Sequence, residues 1–252
     1  MLIYRIFAGT DDYRIAMLTL IAILIVIFTS MILHEIAHGL AALANGDYTA
    51  KMRGRLTLNP AKHIDLFGLI MMLLVGFGWA KPVPVDSRNF RNYKKGMITT
   101  SLAGVTVNFI LAALSLACIA IMTAIFKSSG AIVGGGGNIY LLSPSVSVKY
   151  AYYFFYYLFA YGVLINMTLM LFNLIPVFPL DGFRVAETLL PPDNAYVRFN
   201  YRYGNYTLIG LILLSVALGY IGNAFNVELD IFSLFQNALI KLINVVQMGV
   251  LG

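Results

Sequence analysis

Two of the chain's three histidines and one glutamate fall inside five residues, His34-Glu35-Ile36-Ala37-His38. On a helix, positions i and i+4 share a face, so His34 and His38 can offer two imidazole nitrogens to one metal ion. Glu35, beside the first ligand, is placed to act as general base toward an attacking water. A shuffled chain of this composition would hold the pattern about once in 2,500. The surrounding stretch is apolar enough to span a membrane, where His and Glu are costly and mark function. These residue types in this order point to a single hydrolytic zinc, with His34 and His38 as ligands and Glu35 as the catalytic group.

Two histidines do not complete such a site, which uses three protein ligands and keeps a position open for water. His63 is a candidate by residue type. Asp181 is the better placed one, in Asn173-Leu-Ile-Pro176-Val-Phe-Pro-Leu-Asp181-Gly182 at the end of a later apolar run. If that run returns to the side on which the first one ends, Asp181 arrives at the depth of the histidines. His34 lies 19 residues after Ile15, roughly 28 Å along a helix and towards its far end.

The elements that must position these groups are membrane helices. The chain has 252 residues, 60% of them hydrophobic and 11% charged, with a mean hydropathy of +0.82. A soluble domain of this size could not hide so much apolar surface. Apolar runs occupy 15–32, 97–126, 150–177, 206–221 and 231–251, each near or above the length that crosses the hydrocarbon core. The expectation is an all-α polytopic membrane protein with about five transmembrane helices. The first run is long, lacks a small-residue cleavage site and carries the histidine motif, so it is not a cleaved signal peptide.

The net charge of +6 is gathered in loops and does not point to nucleic acid. Lys51, Arg53, Arg55 and Lys62 follow the first run, Lys81, Arg88, Arg91, Lys94 and Lys95 precede the second, and Arg184, Arg198 and Arg202 follow the third. The positive-inside rule places these segments in the cytoplasm, and the N-terminus, 127–149 and 222–230 outside. The active site then lies towards the cytoplasmic side of a multi-pass cell-membrane protein. The lone Cys118 forms no internal disulfide.

Residues 64–80 are apolar but lie between two basic clusters that share one side, which favours a re-entrant or interfacial hairpin over a crossing. Before it, 47–58 reads as a short β-hairpin turning at Gly54. Lys81-Pro-Val-Pro-Val85 is held extended by its prolines, either as a structural edge or as a strand that pairs with substrate. The Gly- and Ser-rich stretch 128–147 reads as an outer linker, and the aromatic run 150–157 as an interfacial belt. Asp65 reads as a cap, and Arg184 with Glu187 as a solvated pair.

Taken together, HExxH within an apolar run and the later N-x-x-P-x-x-x-L-D-G stretch resemble the site-2 protease family of intramembrane zinc metalloproteases. The likeness covers roughly residues 20 to 190. It implies His34, His38 and Asp181 as zinc ligands and Glu35 as the catalytic acid and base. Ser101-Leu-Ala-Gly104-Val-Thr-Val-Asn108 is similar to the family's G-P-x-x-N segment, with Val105 where proline is usual. That match implies a catalytic Asn108 holding substrate backbone or an oxyanion. Residues 59–68 resemble the compact branch that lacks a PDZ domain. The implied organisation is one membrane-embedded domain over 1–252, with a catalytic core at about 15–190 and further helices at about 205–251. The implied substrate is a single-span membrane protein or a signal-peptide-like remnant, met in the lipid bilayer and selected with a separate adaptor protein. The alternatives are a divalent-metal transporter, a metal-binding membrane protein or an inactive relative. A transporter would repeat polar ligands along a path, whereas here they gather at one end.

Overall fold

Asp12 opens the first helix by accepting the Arg14 N–H at 3.1 Å. The same carboxylate takes hydrogen bonds from Lys149 Nζ and the Tyr150 hydroxyl, both at 3.1 Å. The ammonium beside it, together with these hydrogen bonds, holds Asp12 below the ordinary carboxylate range. One cap thus joins the starts of two helices, α1 (Tyr13–Ala44) and α4 (Val146–Leu174). The computed structural model describes residues 12–68, 70, 80–135, 138–142, 145–191, 193–225 and 230–252.

Between α1 and α4 come α2 (Thr49–Met52), α3 (Tyr93–Ser128) and an antiparallel hairpin of β1 (Ile132–Gly135) and β2 (Asn138–Leu141). After α4 come α5 (Asp181–Leu189), α6 (Ala195–Phe225) and α7 (Ile231–Leu251). Among the described residues, four helices are long and apolar enough to cross a membrane, against the expected five or so: α1, α3, α4 and residues Ser233–Leu251 of α7. The remaining apolar run, 206–221, is helical within α6. An all-α polytopic membrane protein is what the apolar runs require, since only helices or closed barrels satisfy the backbone in lipid.

The centre is a three-helix packing of α1, α3 and α4. Ala16, Ile23 and Ile27 of α1 meet Tyr161 and Ile165 of α4. Ile119 of α3 packs on Ala160 and Val163 of α4 and on Leu239 and Ile243 of α7. Small residues permit close approach: a Cβ on Gly162 would lie 2.4 Å from Ser115 Oγ. α3 runs antiparallel to α1 and α4, so the ends of α1 and α4 and the start of α3 share one end of the bundle.

Three details differ from the expectations. The stretch 47–58 is not a β-hairpin. Asp47 accepts the Thr49 N–H and hydroxyl, which coils the chain into α2. Gly54, at φ +59, is the left-handed residue that ends this helical turn. The described two-stranded hairpin lies instead in 132–141, where Ile132 pairs with Leu141 and Gly135 with Asn138. The Gly-rich stretch is thus partly a packed element: a Cβ on Gly134 would lie 2.9 Å from Leu251 Cβ.

The third difference is the direction of α7. Lys127, at the end of α3, donates to the carbonyls of Val250 at 3.0 Å and Leu251 at 2.8 Å. A cation on the last carbonyls caps α7 and favours its dipole. α7 therefore runs parallel to α3 and ends beside β1, so its start lies towards the opposite end from 127–149. Asp230 and Ile231, at that start, therefore do not lie beside 132–141 as the outside placing of 222–230 expects, and residues 226–229 lie outside the described residues. Most of the apolar segment 64–80 lies outside the described residues. Its neck is described: Ile64 and Ala80 form an antiparallel bridge, and Lys81 N–H donates to the His63 carbonyl at 2.8 Å. Both ends therefore meet at one point, as a returning hairpin requires.

Candidate metal centre

His34 and His38 stand one turn apart on α1, with ring centroids 4.5 Å apart and edge to face. Their Nε2 atoms are separated by 2.9 Å. Asp181, the first residue of α5, brings Oδ2 to 3.3 Å from His34 Nε2 and 3.2 Å from His38 Nε2. Ligands bound at 2.0–2.2 Å to a tetrahedral zinc stand about 3.3–3.5 Å from one another. The three atoms form the base of such a tetrahedron, slightly contracted. Asp181 Oδ2 is buried without a hydrogen-bond partner, a costly state for a carboxylate that a bound cation relieves. Two imidazoles and one carboxylate converging in this way fit zinc.

Asp181 reaches this place because the chain folds sharply after α4. Ile175 N–H donates to Phe172 O, and Leu180 N–H to Val177 O. A Cβ on Gly182 would lie 2.3 Å from the Leu174 carbonyl oxygen, so glycine beside Asp181 lets α5 start against the end of α4. Phe183 is buried and meets Phe178, Tyr196 and Tyr201. Tyr196 hydroxyl donates to Pro176 O, and Asn200 Oδ1 accepts the Phe178 N–H. Asn173 donates to Leu169 O of its own helix. Glu187 accepts from the Tyr201 hydroxyl.

One face of α3 lines the centre from the other side. Thr100, Gly104 and Asn108 follow one another at four-residue spacing. The Thr100 carbonyl lies 2.7 Å from His38 Nδ1, so this ring donates its outer N–H and turns Nε2 towards the site. A Cβ on Gly104 would lie 2.5 Å from His34 Cε1 and 2.6 Å from His38 Nε2. Only glycine leaves room for both rings. Asn108 is wholly buried, and its Nδ2 lies 3.3 Å from His34 Nδ1. Its amide therefore faces the Nδ1 edge of the His34 ring. A backbone carbonyl such as that of Thr100 leaves no signature in a sequence; the Gly104–Asn108 spacing does, once α3 is set antiparallel to α1.

Glu35 accepts the Val83 N–H on Oε2 at 2.7 Å. Val83 sits in an extended strap, Ala80 to Asp86, that crosses α1 at Gly39, where a Cβ would lie 3.0 Å from Val83 Cγ1. Pro82 and Pro84 have no N–H to give. The strap is tied elsewhere as well: Arg55 Nη2 donates to Lys81 O at 2.8 Å, and Asp86 N–H to Asp47 Oδ2 at 2.7 Å. The donors at Lys81 and Val83 are thus engaged within the protein. His63 is buried beneath this strap's start, with Nε2 at 2.8 Å from Thr57 O. It is not in the group formed by His34, His38 and Asp181. Asp65 Oδ1 accepts the Gly68 N–H at 2.8 Å, a capping role.

The profile of Peptidase family M50 matches residues 22–217. The chain is 36% identical over 198 residues to "Putative zinc metalloprotease YwhC" of Bacillus subtilis, covering 78% of this chain and 81% of that protein. It is 26% identical over 194 residues to "Putative zinc metalloprotease Rip2" of Mycolicibacterium smegmatis, covering 75% of this chain and 65% of that one. Against the protein of the same name in Mycobacterium tuberculosis the identity is 28% over 171 residues, 66% of this chain and 56% of the relative. No solved structure matches the chain.

Proposed function

The chain belongs to peptidase family M50 as an intramembrane zinc metalloprotease, and from that premise we propose how its residues divide the work and what they cut. His34, His38 and Asp181 hold the zinc, and Glu35 is the acid and base. The observation that carries this is the convergence of the three ligand atoms within 3.3 Å of one another, with Glu35 next to the first ligand. Zinc at this position supplies a water whose pKa is lowered to about 7 and a Lewis acid for the scissile carbonyl. Glu35 takes a proton from the attacking water on Oε1 while Oε2 is held by Val83, then passes it to the leaving amine.

His34 lies ten residues before the end of α1, about 15 Å inside the bundle from that end. A peptide bond reaches it only within the membrane, and only after its helix has opened, because helical peptide bonds are shielded. The substrate is therefore a single-span membrane protein or a signal-peptide-like remnant presented from the bilayer. The site end of the bundle faces the cytoplasm. Lys51, Arg53, Arg55, Lys81, Arg88, Arg91, Lys94 and Lys95 lie in segments at that end, against Arg14, Lys127 and Lys149 near the other. This is the distribution that the positive-inside rule describes. Among the described residues, no second group of metal-ligating side chains continues a path through the bundle, as transport would require.

The experiment is cleavage of single-span reporter helices by purified protein in lipid, beside Glu35→Gln. The wild type should cut, and the variant should retain zinc but lose at least about a hundredfold in rate. Equal cutting by both proteins would remove Glu35 from the mechanism.

A further inference from the structure

The amide of Asn108 faces a ligand histidine from behind, and its two ends are unequally served. Nδ2 lies 3.3 Å from His34 Nδ1, while Oδ1 is buried with no partner. His34 turns its other nitrogen, Nε2, towards Asp181 and His38. A histidine that ligates through Nε2 as neutral imidazole carries its proton on Nδ1. Two N–H groups cannot bond to each other, so this pairing leaves one buried donor and one buried acceptor unmet. Turning the amide by 180° resolves both at once: Oδ1 then accepts the His34 Nδ1–H. The two ends of an amide are distinguished by such networks.

We propose that Asn108 is a positioning residue that accepts the Nδ1–H of His34, fixing the ring with Nε2 bare towards the metal, and that it is not the oxyanion donor. His38 is held in the matching way by the Thr100 carbonyl, 2.7 Å from its Nδ1. One face of α3 then supplies an acceptor to each histidine, two turns apart, with Gly104 between them giving room to both rings. Asn108 also has no free approach to a substrate carbonyl, being wholly buried and set against the ring edge opposite Nε2. This inference rests on His34 being a zinc ligand through Nε2.

The test is zinc affinity by chelator competition on the full-length protein in detergent or lipid, comparing Asn108→Asp, Asn108→Leu and His34→Ala. Aspartate keeps an acceptor facing Nδ1 and cannot donate, whereas leucine keeps the volume and offers neither. Losing an outer hydrogen bond to a ligating histidine typically weakens metal binding about 10- to 100-fold. Asn108→Leu should therefore lose about that much, and Asn108→Asp should stay within about threefold of wild type. The aspartate protein should also cut reporter helices, which an oxyanion donor replaced by a carboxylate would not allow. Wild-type zinc affinity in Asn108→Leu, or cleavage abolished in Asn108→Asp with zinc retained, would overturn the proposal. Wild-type affinity in His34→Ala would instead overturn the ligand assignment beneath it. A thermal melt of each variant separates lost zinc binding from lost folding, and an unfolded leucine variant is replaced by Asn108→Val.

Discussion

A missing methyl group shapes the centre as much as the ligands do. At Gly104 an added Cβ would meet His34 Cε1 at 2.5 Å and His38 Nε2 at 2.6 Å, inside any tolerable contact. Gly104→Ala should part the two rings and weaken zinc binding by about tenfold or more, as loss of ligand positioning does elsewhere. Chelator competition measures this, and unchanged affinity would show that α3 can retreat without cost to the site. Glu35 depends similarly on one backbone donor. Val83→Pro removes the N–H that holds Oε2, a hydrogen bond to a charged group worth about 1.5–3 kcal/mol. The expected result is a fall in kcat of about tenfold or more with zinc content unchanged. Loss of zinc along with activity would mean that the strap supports the ligands rather than Glu35.

Elements are held in register around this centre by a second buried carboxylate. Asp47 is wholly buried and accepts hydrogen bonds from Thr49, from the Asp86 N–H at 2.7 Å and from Asn89 Nδ2 at 2.8 Å. Burial raises its pKa, but the hydrogen bonds to the ionised form outweigh it and leave the value lowered. A lowered folded value means that the stabilisation is present above the ordinary 3.8 and is lost as pH falls through the folded value. Asp47→Asn should cost about 2 kcal/mol at neutral pH. The difference in melting temperature from wild type should shrink as pH falls below about 4, and a constant difference would show that Asp47 is not ionised in the fold. This carboxylate also explains an error of sequence reading. The β-favouring residues of 47–58 suggested a hairpin, yet Asp47 captures Thr49 locally and tertiary partners at 86 and 89 complete the clasp, which no local pattern reports. The same limit applies to Gly134, whose role depends on Leu251 far along the chain. By contrast, the i and i+4 histidines and the return of Asp181 were legible, because helix period and membrane length impose them on any chain of this pattern.

At the scale of the whole molecule, a bundle of apolar helices carries a hydrolytic centre near one end, and we propose that this end faces the cytoplasm. Orientation can be read by labelling intact cells with a membrane-impermeant thiol reagent in a Cys118→Ser background. Arg88 is exposed at the site end, with side-chain exposure of 87%, and Tyr140 is exposed at the other. Tyr140→Cys should label in intact cells and Arg88→Cys only after lysis; the reverse pattern would invert the topology. The central claim, that three residues from two distant segments hold one zinc, is tested most directly by zinc content per chain after a chelator challenge. Asp181→Ala should lose the metal, whereas His63→Ala, whose side chain bonds Thr57 rather than the site, should keep about one zinc per chain as the wild type does. Zinc retained without Asp181 and lost without His63 would contradict the account.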